Sequence, residues 1–255
     1  MKISIVTATW NSAATVRDTI ESVLGQSHQD WEHIIVDGGS TDGTEAIVRE
    51  YAPRYAGRLV WHSGKDRGLY DAMNKGIALA TGDVIGILNS DDFYADPEVL
   101  ARIAKGCEGV DAVYGDLDFV DADDTSKVLR QWRGSQHTPG AFLKGWHPAH
   151  PTFYARRECF DRFGGFDIEA RVSADFELML RFIEKGGIKT QYIPHTFVKM
   201  RIGGESTGSV IKIIQGNKNI LKAFKKNGFK VPRFYLIRRL TPKALNVIKH
   251  KLHLN

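Results

Sequence analysis

YDAMNKGIALATGDVIGILNSDD, residues 70–92, is the stretch on which the fold turns. Tyr70–Ala80 spaces its apolar residues as a helix does, and Asp83–Leu88 is a short apolar run that reads as a buried strand. A helix feeding directly into a buried strand is a unit of a parallel α/β sheet. Asp91 and Asp92 then follow without a break. Adjacent carboxylates repel each other and resist burial, so this strand end calls for a positive partner.

The same alternation runs through the sequence before it. Lys2–Ala8, His33–Val36 and Leu59–Ser63 read as strands, with helices from the Asn11-Ser12 cap to about Leu24 and from Thr44 to Tyr51. This predicts an α/β fold with a mostly parallel central sheet and helices on both faces. Ligands in such sheets bind beyond the carboxyl ends of the strands. Four polar clusters fall at those ends: Thr7-Ala8-Thr9, Asp37-Gly38-Gly39-Ser40, Gly64-Lys65-Asp66 and Ser90-Asp91-Asp92. Beyond them, Ala112–Val120 and Ser126–Trp132 suggest a hairpin, and Pro151–Tyr154 and Ile188–Ile193 suggest strands. Ala174–Glu184 reads as an amphipathic helix, and a loop runs through Gly203-Gly204.

With 255 residues, 42% hydrophobic and 25% charged, the chain has the composition of a soluble globular protein with a core. Cys107 and Cys159 form no disulfide or metal framework and read as reduced thiols. Met1-Lys2 runs straight into a strand, and no apolar run reaches the roughly 18 residues that span a bilayer, so a cytoplasmic chain is expected. The net charge of +5 is unevenly placed: after Glu205 there is no Asp or Glu, while 12 of the 35 Lys and Arg lie there. We therefore divide the chain into an α/β domain, 1–205, and a basic, mainly helical extension, 206–255. Ile213-Ile214, Ile220-Leu221, Phe224, Phe229, Tyr235-Leu236-Ile237 and Val247-Ile248 lie among its lysines, a pattern expected of an amphipathic segment on an anionic membrane surface or, as the alternative, of a solvated helical pair packing on the first domain or a partner subunit.

On spacing alone, Asp91-Asp92 supports two readings. One is a hard divalent cation, Mg²⁺ or Mn²⁺; the other is an ordinary turn ahead of the helix that Asp96-Pro97-Glu98 begins. Four motifs carry the reading further: ISIVTATWN (3–11), VDGGSTDGT (36–44), DRGLYDAMNKGIALATGDVIGILNSDD (66–92) and SADFELMLR (173–181). In order and spacing they resemble the family 2 glycosyltransferases, and the 70–92 motif resembles bacterial enzymes of surface polysaccharide synthesis. The resemblance implies a GT-A fold, a nucleotide-diphosphate sugar donor, a divalent cation and inversion at the anomeric carbon.

It also implies site residues. Asp175 matches the catalytic base, and Asp91 the principal cation ligand with Asp92 beside it. Asn89 stands where the family's first metal-motif carboxylate is expected. Thr7, Thr9, Asp37, Lys65, Asp66, Asn74, Asn89 and Arg201 fall at donor-binding positions, with Arg201 in a glycine-hinged lid through Gly203-Gly204-Glu205-Ser206. Trp146, His147 and His150 fall where an acceptor wall is expected. The partners implied are a nucleotide sugar, with UDP-sugars first, and a glycan or polyprenyl-diphosphate-linked acceptor met at the inner face of the membrane.

Other classes fit less well. No G-x-G-x-x-G follows the first strand, and no P-loop is present. A nucleotide-sugar pyrophosphorylase should carry a Gly-rich basic loop where this chain reads Thr9-Trp10-Asn11-Ser12-Ala13. A nucleic-acid-binding protein would suit the tail, but the acidic body would repel phosphate and no recognition motif occurs.

Overall fold

A computed structural model of the chain describes residues 1–202 and 210–236. β1 (Ile3–Thr9), β2 (Trp31–Asp37), β3 (Leu59–Ser63) and β4 (Val84–Ile87) pair in parallel in the order β3-β2-β1-β4. Every position of β1 and β2 is buried, which explains why they read as continuous apolar runs without alternation. α1 (Val16–Leu24) and α2 (Thr44–Tyr51) cover the face bearing Ile3, Ile5 and Ile35. α3 (Leu69–Leu79) covers the other, packing Ala72 and Met73 with Val6, Ile34 and Val36. The expected α/β architecture holds.

After the acidic loop come β5 (Phe93–Tyr94), α4 (Val99–Gly106), β6 (Ala112–Val120) and β7 (Val128–Trp132). Then follow β8 (Tyr154–Arg156), α5 (Arg157–Phe163), α6 (Ala174–Met179), a π-helical turn at Leu180–Lys185, β9 (Thr190–Arg201) and α7 (Val210–Lys226). They extend the sheet to β3-β2-β1-β4-β8-β6-β9-β5, with β7 beside β6. β8 runs antiparallel to both β4 and β6, while β6 and β9 are parallel. Gly86 makes the first of these junctions possible. The Tyr154 ring lies so close over it that a Cβ would sit 1.9 Å from Cε1, and the Tyr154 hydroxyl meets that of Tyr94 at 2.5 Å.

Several boundaries differ from expectation for identifiable reasons. α1 begins at Val16, because Ser12 O accepts from Thr15 N and Val16 N in a preceding turn. The expected strand 151–154 is a 3₁₀ turn, His150–Thr152, followed by β8. β9 continues eight residues past the expected end at Ile193, through Pro194 to Arg201. Proline is tolerated there because the β6–β9 register shifts between Tyr114 and Asp116, opposite Ile193–His195.

Among the described residues the extension follows the packed alternative of its sequence reading. Ile220, Phe224 and Tyr235, expected on a membrane-facing stripe, are buried in the catalytic core, where Phe224 packs edge-on to Phe176. Gly203, Gly204, Glu205, Ser206, Ile237, Val247 and Ile248, and the side chains of Ile213 and Ile214, for which a lid and an amphipathic stripe are expected, lie outside the described residues. Among the described residues, no helix is long and apolar enough to cross a membrane.

Candidate active site

The acidic loop is fixed by its backbone. Thr7 Oγ1 donates to Leu88 O (2.7 Å), Thr15 Oγ1 to Ser90 O (2.9 Å), and Arg201 Nη1 to Asp91 O (2.6 Å). Thr19 Oγ1 donates to Asp92 O at 2.7 Å and reaches Asn89 O at 3.4 Å. Every carbonyl from Leu88 to Asp92 therefore has a side-chain donor from β1, from α1 or Thr15 just before it, or from β9, and the carboxylates are placed before any ligand arrives. Arg201 is nearly buried, and its other nitrogen pairs with Asp18. It braces the loop from behind.

The side chains of that loop are short of positive charge. Asp92 is fully buried; its Oδ2 accepts from Asn89 Nδ2 at 3.0 Å, while its Oδ1 and Asn89 Oδ1 have no hydrogen-bond partner. Burial and the neighbouring Asp91 push Asp92 up to about 8. Burial raises Asp91 as well, against the opposing pull of Arg201 and His150. Orphaned, all-oxygen, doubly acidic surroundings fit a hard cation of the Mg²⁺ or Mn²⁺ type. Asp91, with Asp92 behind it, would hold that ion. No group of three or more His, Cys, Asp or Glu is arranged for a metal among the described residues, so substrate phosphates and water would complete the shell.

Asp175 opens α6, and its surroundings are the reverse. His150 Nδ1 meets its Oδ2 at 3.0 Å, and the Tyr70 hydroxyl donates to Oδ1 at 3.4 Å. Burial disfavours the ionised carboxyl. His150 outweighs it through charge and hydrogen bond, helped by the Phe176 N–H, and holds Asp175 down to about 2. Burial likewise opposes the charged form of His150, but the charge of Asp175, its hydrogen bond, and the charges of Asp92 and Asp91 raise its pKa. The imidazole thus links the base candidate electrostatically to the acidic loop.

On the donor side, Asp37 closes β2 and organises the turn after it. Its carboxylate accepts from Gly39 N and Ser40 N, each at 3.0 Å, and from Ser63 Oγ at 2.9 Å. Asp66 Oδ1 accepts from Gly68 N at 2.8 Å, while Oδ2 lies 2.7 Å from where a Cβ on Gly38 would be. A side chain at position 38 would push the Asp66 carboxylate aside. Thr7 lies inside β1 between Leu88 O and His33 Nε2, whereas Thr9 ends the strand with a buried hydroxyl that lacks a partner. Lys65 O accepts from Lys75 Nζ at 2.8 Å. Asn74 turns away from the strand ends: its amide bridges Phe166 N at 2.7 Å and Phe166 O at 2.9 Å.

On the acceptor side, Trp146 is set among Tyr114, His137 and Phe142. The His147 ring stands edge-on to Trp132 and Phe176, with Nδ1 2.9 Å from Pro148 O. The structure thus joins Asp91, Asp92, Asn89, Arg201, His150 and Asp175 into one electrostatic unit, and leaves the Asn74 amide outside it. Sequence reasoning missed Tyr70 as a site residue, although it opens the 70–92 motif one helical turn before Asn74. It also missed Trp10, 68% exposed beside Gly38 at the strand-end rim, and the threonines of α1.

Comparison with known proteins identifies the family and the fold. Residues 4–164 match the model of the family described as glycosyl transferase family 2. The chain is 33% identical over 197 residues to the PGL/p-HBAD biosynthesis glycosyltransferase of Mycobacterium tuberculosis, covering 74% of this chain and 73% of that one. Among solved structures, the mannosyltransferase PcManGT from Pyrobaculum calidifontis, in complex with GDP-Man and Mn²⁺, superposes with a TM-score of 0.66 at 22% identity, covering 92% of this chain and 67% of that one. S. aureus TarS superposes with a TM-score of 0.66 at 17% identity. The match covers 90% of this chain, which spans 41% of the TarS chain. These likenesses establish the GT-A fold.

Proposed function

The chain belongs to glycosyl transferase family 2, and on that premise we propose that it transfers one hexosyl or N-acetylhexosaminyl residue, with inversion, from a nucleotide-diphosphate sugar to a lipid-linked or oligosaccharide acceptor. UDP-sugars are the first donors to test. The observation that carries this reading is Asp175, held ionised by His150, touched by the Tyr70 hydroxyl, and coupled through His150 to the acidic loop.

The acceptor hydroxyl oxygen attacks the anomeric carbon as the bond from that carbon to the diphosphate oxygen breaks, and its proton passes to Asp175. Oδ2 is engaged by His150, so Oδ1 receives the proton, with Tyr70 exchanging its long contact for the incoming hydroxyl. A carboxylate held near 2 is a weak base, yet the hydroxyl acidifies as its oxygen bonds to carbon, so the transfer is needed only late in the displacement. When bound, a divalent cation at Asp91 and Asp92 would offset the charge developing on the departing nucleoside diphosphate. Asp37, Asp66 and the Thr9 hydroxyl face the nucleoside, and Trp10 offers its exposed ring to the base. Trp146 and His147 form the acceptor wall. Residues 206–255 bring the enzyme to the inner face of the membrane as a peripheral protein.

Calorimetric titration of UDP with Mn²⁺, with EDTA and with Asp91→Ala tests the donor half. Metal-dependent binding lost in Asp91→Ala is expected. No binding of UDP, GDP or dTDP under any condition would sink the reading.

A further inference from the structure

Helix α7 presents two faces of different chemistry. Asn219, Ile220, Ala223, Phe224 and Asn227 are buried, and helical spacing puts them on one side. That side rests on the segment carrying Asp175. Asn219 Nδ2 donates to Ala170 O at 2.8 Å, Ser173 Oγ to Gly216 O at 3.1 Å, and Asn227 Nδ2 to Glu177 Oε1 at 2.9 Å. Among the described residues, the apolar side chains Ile220, Ala223 and Phe224 are therefore engaged by the core of the α/β domain.

The opposite face is cationic. Lys218, Lys222 and Lys225, four and three residues apart, are exposed along one stripe, and Lys230 and Arg233 are exposed just beyond it. None of the five is ion-paired within the described residues; Lys226, nearer the buried side, pairs with Asp167 at 2.6 Å. No Asp or Glu occurs anywhere after Glu205 to offset them. Next to Arg233, the Phe234 ring is 64% exposed, although its neighbour Tyr235 is buried against Phe224. A row of flexible ammonium groups beside one exposed aromatic ring matches a leaflet of anionic headgroups over hydrocarbon.

We propose that Lys218, Lys222, Lys225, Lys230 and Arg233 form a docking face for an anionic lipid surface, with Phe234 entering the headgroup boundary. The proposal sharpens the membrane-surface part of the functional reading and rests on it. It reverses the expected mode of contact: the polar face of the helix meets the lipid, and the apolar face meets the enzyme. Surface contact and support of Ala170, Ser173 and Glu177 then share one helix, so docking loads the segment that bears the base.

The test is co-sedimentation of the full chain with vesicles of phosphatidylcholine, with and without about one third phosphatidylglycerol. It needs no sugar or nucleotide, so failure of the transferase reading leaves its result intact. The wild type should sediment with the anionic vesicles and be released by salt. The triple variant Lys218→Gln, Lys222→Gln, Lys225→Gln should bind about a hundredfold more weakly, at about fivefold per charge. Phe234→Ser should lose about tenfold. Unchanged thermal unfolding confirms that these exposed changes leave the fold intact. Equal binding to neutral vesicles, an undiminished triple variant, or preferential retention by a duplex oligonucleotide would each overturn the proposal.

Discussion

The acidic loop at 89–92 and the segment opening α6 contribute carboxylates to one site under opposite conditions. Asp92 is buried beside a second carboxylate, keeps an oxygen without a partner and is pushed up to about 8. Asp175 is partly buried against an imidazole, has both oxygens contacted and is held down to about 2. The first arrangement is incomplete without an external positive charge; the second carries its counter-charge within the chain. The difference separates two tasks. Under the proposed function, a ligand-dependent charge suits the place where the diphosphate arrives and leaves, and a carboxylate already ionised at neutral pH suits the late acceptance of a proton.

The largest effect should come from Asp175→Asn. Transfer should fall on the order of 10³-fold, with UDP affinity within about twofold of the wild type. Loss of nucleotide binding in this variant would show that the two carboxylate regions are not separable. Next, Asp91→Ala should weaken Mn²⁺-dependent UDP binding about a hundredfold while leaving the residual binding in EDTA unchanged, as read by calorimetry. Asn227→Ala removes a buried amide from Glu177, two residues from the base; kcat should fall several-fold with the donor KM unmoved. A shift confined to KM would break the link between α7 and the base.

Two smaller effects concern stability. In the metal-free protein, Asp91→Asn should raise stability by about 0.5–1 kcal/mol by relieving repulsion with Asp92, whereas Asp175→Asn should lower it by about 1 kcal/mol by leaving His150 without its partner. Chemical denaturation reads both, and equal signs would contradict the contrast. The pH dependence follows from the folded-state pKa of Asp175, which lies below its ordinary value near 4. The stability it contributes is full above about pH 4 and is lost as pH falls through about 2. Asp175→Asn should flatten that part of the acid limb, an effect of about 1 kcal/mol after solvent screening.

The half of the site built at parallel strand ends was legible because periodicity, turn residues and polar clusters coincide there. β1, β2 and β3 fall within a few residues of their expected bounds, and Asp37 and Asp91 stand at or just beyond strand ends. The second half was less legible for physical reasons. β9 contains Pro194, which reads as a stop unless the bulge opposite it is known. The partnership of His150 with Asp175 joins residues far apart in the chain through a 3₁₀ turn and a helix start, and no local pattern encodes that. The bridge from Asn74 to Phe166 spans 92 positions of the chain, and no local pattern around Asn74 announces it. In the extension, amphipathicity reported correctly that α7 has an apolar face but could not say what that face covers.

The position of α7 carries a consequence for how the enzyme comes into being. β1, β2 and β3 all precede residue 64, whereas the acidic loop at 89–92 is braced by Arg201, and the support of Asp175 includes Asn219, Phe224 and Asn227. During synthesis the parallel strands therefore leave the ribosome well before the residues that brace the acidic loop and the segment bearing Asp175. A nascent chain that ends before α7 is expected to show no sugar transfer.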